Sequence, residues 1–76
     1  MEKRMSELRK GRRAVVKELN LDGKMRRRLE DIGLTVGREI CCRGRSPLGG
    51  IGAYEILGAV MAIRDSDADK IIVEEI

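Results

Sequence analysis

The chain contains no histidine, phenylalanine or tryptophan, and Tyr54 is its one aromatic residue. Without an imidazole there is no base for a His-centred triad and none of the commonest metal ligand. Without aromatic platforms the chain lacks the stacking surface that readers of single-stranded nucleic acid use. It also lacks a second helix to pair with its one clear helix as a helix-turn-helix. The run Arg26-Arg27-Arg28 could touch phosphates, but no nucleic-acid partner is expected on this basis. Two adjacent cysteines, Cys41 and Cys42, make no disulfide framework. No stretch approaches the roughly 20 apolar residues of a membrane span, and no signal-peptide core follows the charged start. A cytoplasmic chain with no direct membrane insertion is therefore expected. Gly49-Gly50-Ile51-Gly52 has glycines but no following Lys-Ser/Thr, so it is no phosphate loop. Asp65, Asp67 and Asp69 are spaced like the start of a calcium loop. Lys70 stands where that loop needs glycine and Ile76 where it needs glutamate, so a solvated turn is expected. These absences leave no catalytic constellation and no cofactor site, and a non-enzymatic chain is expected.

What is present suits one small domain. The chain has 76 residues, and at this size only about three fifths of the unfolded surface is buried. Val, Ile, Leu, Met and Ala must build the interior. Charged residues are frequent but mixed in sign and interleaved with apolar ones, which argues against disorder. The net charge of +3 hides an asymmetry: residues 1–28 carry +7, residues 29–50 carry 0 and residues 51–76 carry −4. The basic part could meet nucleic acid, an anionic membrane or an acidic protein patch. The plainer expectation is a solvated face partly neutralised by the acidic C-terminal part.

Residues 1–7 lack an apolar period and read as a loosely ordered lead-in, with a single domain over 8–76. Residues 12–19, centred on Ala14-Val15-Val16, read as a first strand. A helix follows, with Asp22 as N-cap and Gly33 as the left-handed residue that ends it. Met25, Leu29 and Ile32 share one face, Arg28 lies on its flank, and Arg26, Arg27, Glu30 and Asp31 point away. Arg26–Glu30 and Arg27–Asp31 have ion-pair spacing. Residues 38–44 read as a second strand, with Ile40 and Cys42 on one face and Glu39, Cys41 and Arg43 on the other. A loop with Pro47 and three glycines spans 45–52. A third strand is expected over 54–57, then a turn at Gly58. A fourth, apolar on both sides, covers 59–64, and a fifth 70–75. Together these predict a mainly β fold: a small five-stranded barrel of the Src-homology-3 type with one helix between the first two strands, the helix capping an open end. A helix packed on a flat sheet is the alternative.

Cys41 and Cys42 are the only soft ligands, and in a strand they point to opposite faces. Cys42 is expected in the core and Cys41 as an exposed thiol. A metal site shared between protomers, joining Cys41 to Glu39 or Glu55, is the alternative chemical use.

Four motifs in order carry a family likeness. Arg28-Leu29-Glu30-Asp31-Ile32-Gly33-Leu34-Thr35-Val36-Gly37 resembles the R-L-x-x-[LMI]-G-[LI]-x-x-G signature of the FeoA family. Ser46-Pro47-Leu48-Gly49-Gly50 is similar to its A-P-L-G-D loop. Gly58-Ala59-Val60-Met61-Ala62-Ile63-Arg64 resembles its G-x-x-[IL]-A-[LI]-R strand, with Ala68, Ile71 and Val73 matching the A-x-x-I-x-V ending. Leu8 and Gly11 fit the opening L-x-x-G. The loop departs from the family in Gly50, where an aspartate is usual, and in the Ile51-Gly52-Ala53 that follows. The resemblance implies the Src-homology-3-type barrel and an accessory role in ferrous iron transport, in a family associated with transition-metal binding. It also implies a partner, FeoB, a membrane transporter with a cytoplasmic GTP-binding domain, which would hold this chain peripheral to the inner membrane face. Similar domains end the iron-dependent repressors, whose DNA-binding and dimerisation domains do not fit in this chain. Pro47, Leu48, Gly49 and Gly50 are the expected docking lip, with Arg26 and Arg27 steering toward an acidic surface. The competing roles are plain ones: Pro47 and the glycines shaping a hairpin, and Leu48 folding back. Weak self-association is left open, as is a metal-dependent sensor or carrier acting through Cys41.

Overall fold

A computed structural model describes all 76 residues. Six antiparallel strands form one sheet: β1 (Glu2–Arg4), β2 (Arg13–Leu19), β3 (Glu39–Arg45), β4 (Ile51–Ile56), β5 (Ala59–Arg64) and β6 (Ile71–Glu75), in the order β1-β6-β2-β3-β4-β5. Helix α1 (Gly23–Asp31) lies between β2 and β3, and the single turn α2 (Asp65–Ala68) between β5 and β6. The mainly β fold with one inserted helix is as expected, with a sixth strand added.

That strand corrects the reading of residues 1–7. β1 pairs with β6 through Glu2–Glu74, Lys3–Val73 and Arg4–Ile72, and a 3-10 turn follows at Met5–Glu7. Met5 and Leu8 are completely buried. Three charged residues in a row show no strand period, and an i,i+3 pair of apolar residues is all that a 3-10 turn offers to sequence reading.

The two-residue alternation places Ala14 and Val16, Ile40 and Cys42, Tyr54 and Ile56, and Ile71 and Val73 inward. Leu19 also points inward, out of phase, because a bulge between Val16 and Glu18 shifts β2 by one residue. The sheet curls around this core. Four strand spacings separate β1 from β4, about 19 Å if flat, yet Tyr54 Oη donates to the Met5 carbonyl just past β1 at 3.2 Å. No ladder joins β1 to β5; α2, which follows β5, packs against the 3-10 turn there.

α1 forms where expected. Asp22 is the N-cap residue, though its side chain makes no capping hydrogen bond. The C-terminal end is a Schellman motif: Leu34 N–H donates to the Leu29 carbonyl and Gly33 N–H to that of Glu30, each at 3.0 Å, with Leu29 and Leu34 both buried. Leu29 is the anchor, while Met25 and Ile32 pack part-buried against the core. Gly33, at φ +100°, also serves packing. A Cβ there would run into the Leu57 side chain, in the tight β4–β5 turn where Leu57 itself sits at φ +52°.

Candidate interaction surface

β3 and β4 hold the loop 46–50 between them. Ser46 N–H donates to the Ile51 carbonyl at 2.9 Å, closing its base, and Gly49 N–H donates to the Ser46 carbonyl at 2.9 Å, making a turn with Pro47 second. Proline fits that position because its fixed φ suits it. Gly49 and Gly50 then take φ of +81° and +86°, values that L side chains rarely adopt. Pro47 and the glycines therefore do shape the hairpin. Leu48 does not fold back: it is 97% exposed at the tip.

Arg45 fixes the root of this loop. Its Nη2 donates to the carbonyls of Ser6 and Leu8 and, at 3.2 Å, to Tyr54 Oη, while Nη1 meets Asp65 at 3.1 Å. Burial pushes the Tyr54 phenol above its ordinary pKa, against the pull of Arg45, so it stays a neutral donor. The three aspartates read as a solvated turn are also taken up by cations and hydroxyls. Asp65 holds Arg45, Asp67 meets Arg64 at 3.9 Å, and Asp69 accepts from Ser6 Oγ and lies 3.9 Å from Arg4. Arg4–Asp69, Lys3–Glu75, Arg12–Glu75 and Lys17–Glu74 hold the basic N-terminal part against the acidic C-terminal part.

The two arginines differ. Arg26 is committed: Nη1 donates to the Leu19 carbonyl at 3.0 Å and Nε pairs with Glu30 at 3.3 Å. Arg27 is in no ion pair, and the Arg27–Asp31 pair anticipated from spacing does not form. No hydrogen bond or ion pair joins α1 to the loop 46–50.

Cys41 faces outward between Arg13 and Glu55, its register partners on β2 and β4. It lines an open depression of about 490 Å³ with Arg13, Arg38, Arg43 and Glu39. The carboxylates there are occupied, Glu39 by Arg13 at 3.1 Å and Glu55 by Arg43 through Nε at 2.7 Å. No three of Cys, Asp and Glu stand close enough to hold a metal ion, so a resident metal does not fit one chain's donor set. Cys42 is fully buried.

A second depression was not anticipated. It is a groove of about 220 Å³ between α1 and β5, lined by Met25, Leu29, Ile32, Met61 and Ile63 and rimmed by Arg28, Arg64 and Asp67. The signal for it lay in a strand apolar on both sides.

These features define a small curled β domain with an exposed loop tip and an apolar groove. The FeoA domain family matches residues 3–75, and the chain belongs to that family. It is similar to the solution structure of the FeoA protein from Chlorobium tepidum, at 32% identity over 95% of this chain and 69% of that one, with a TM-score of 0.89. A crystal structure of an iron uptake regulatory protein, FeoA, is 27% identical, with full coverage of both chains and a TM-score of 0.86. A manganese-dependent transcriptional repressor shares the fold at 20% identity, over 99% of this chain and 41% of that one, with a TM-score of 0.89. No curated protein sequence matches. No helix is long and apolar enough to cross a membrane.

Proposed function

We propose that the chain is a non-enzymatic accessory of ferrous iron transport, docking on the cytoplasmic side of a FeoB-type transporter beside its GTP-binding domain. Iron is the transporter's cargo in this reading and need not touch the chain. Family membership supports the iron assignment, and the observation that carries the docking role is Leu48. An aliphatic side chain 97% exposed on a turn braced by Pro47 and by Arg45 beneath it has no role in this fold, while an apolar pocket on a partner would bury it. Arg27, free of ion pairs, would steer the approach to an acidic surface.

NMR titration of the labelled chain with the purified cytoplasmic domain of FeoB from the same organism tests this. Saturable shifts at residues 47–50 are expected, with smaller ones at Arg27. Spectra unchanged both with and without guanine nucleotide would count against it.

A further inference from the structure

The two ends of the sheet are built differently. β1 is three residues long and wholly charged, Glu2-Lys3-Arg4, the usual guard against unwanted strand pairing. β5, at the other end, has six residues, Ala59-Val60-Met61-Ala62-Ile63-Arg64, with no proline, no lysine and an unbroken register to β4. The two-residue turn Leu57-Gly58 makes Ile56–Ala59 a hydrogen-bonded pair, and alternation then pairs Tyr54–Met61 and Gly52–Ile63. The peptide groups of Val60 and Ala62 therefore point out at the open edge. None of the backbone hydrogen bonds outside the ladders reaches them. The α1–β5 groove runs beside that edge.

We propose that this edge and groove receive an extended segment of a partner protein as an added strand on β5, with alternate apolar side chains of the segment set among Met25, Ile32 and Met61. The proposal deepens the reading of the chain as an interaction module and rests on it. The rim decides the segment's charge. Arg28 is in no ion pair, and Arg64 is 70% exposed with a 3.9 Å contact to Asp67, the one acidic residue of the lining, so the rim is net basic. An acidic segment complements this rim. The β5 strand of a second copy, Ala59–Arg64, carries no acidic side chain to meet this rim, so the occupant is a different chain. Main-chain bonds would supply affinity and the groove the choice of side chains.

The test uses the full-length labelled chain and a blocked synthetic heptapeptide alternating valine with glutamate. Saturable shifts at Met25, Ile32, Val60 and Ala62 are expected. Exchange of the Val60 and Ala62 amides should slow by about tenfold or more, a mark of strand addition that mere surface contact would not leave. The same peptide with lysine for glutamate should bind at least about tenfold more weakly. Ala62→Pro removes an outward N–H without touching the β4 ladder and should abolish binding, with Met61 and Ile63 protection showing that the chain remains folded. Arg28→Glu should reverse the charge preference in a second, milder variant. Absence of binding, or binding without protection at Val60 and Ala62, overturns the proposal. If the FeoB domain binds elsewhere and leaves this edge exchanging freely, the groove proposal fails and the transport reading stands. If the peptide adds to β5 but the FeoB domain does not bind, the transport reading fails and the groove stands.

Discussion

The first eight residues and the loop 46–50 meet at Arg45, and composition describes them in reverse. The N-terminal segment is crowded with charge, yet Met5 and Leu8 are completely buried; the loop carries proline, leucine and glycine, yet Leu48 is 97% exposed. The difference lies in neighbours supplied from afar. The N-terminal segment finds β6, some 70 positions along the chain, while the loop closes on itself and is tied elsewhere only at Gly50, whose carbonyl accepts from Asp65 N–H at 2.8 Å. Apolar character thus marks the core in one case and a free surface in the other, and only the fold separates them.

Truncation should break this comparison most sharply. Met5→Ala empties part of the core and should cost about 2–5 kcal/mol, whereas Leu48→Ala should change stability by no more than about 0.5 kcal/mol. Urea unfolding of both variants, read as shifts in midpoint at constant m, checks the contrast. Arg45→Gln removes the link between the regions and leaves carbonyls of Ser6 and Leu8 without their donor. A loss of about 1–3 kcal/mol is expected, with faster amide exchange over residues 2–8 than in β3.

The smallest effect is acid fraying. The Arg4 N–H, with its guanidinium, holds the Glu7 carboxyl below the ordinary 4.5, and the Lys3 ammonium does the same for Glu75. Carboxyls depressed on folding add stability that is present above 4.5 and lost as pH falls through their lower folded values. Exchange at Glu2–Arg4 should therefore rise below about pH 4.5, while the loop 46–50 shows no such response. Equal acid sensitivity in the two segments would refute the assignment.

Local patterns in the sequence were legible where one element decides its own fate. Asp22, Leu29 and Gly33 mark α1 because cap, anchor and terminator all lie within it, and Ile40 against Cys41 reads the two faces of β3. β1 was not legible, since an edge strand needs a partner on one side only and Glu2-Lys3-Arg4 carries no period. Leu48 was placed correctly in a loop, but its exposure depends on what the turn faces. The α1–β5 groove was hidden for a related reason: Met25 and Met61 lie 36 positions apart, and no local rule sets them side by side. Spacing paired Arg26 with Glu30, as the structure does, but it gave no sign that the Leu19 carbonyl holds Arg26 as well.

In the proposed docking role Leu48 serves a partner and not the fold. The direct test is the Leu48→Asp variant, assayed for ferrous iron uptake in cells lacking their own copy of the chain, alongside its thermal unfolding. Unchanged unfolding and lost uptake are expected. Unchanged unfolding with full uptake would contradict that role.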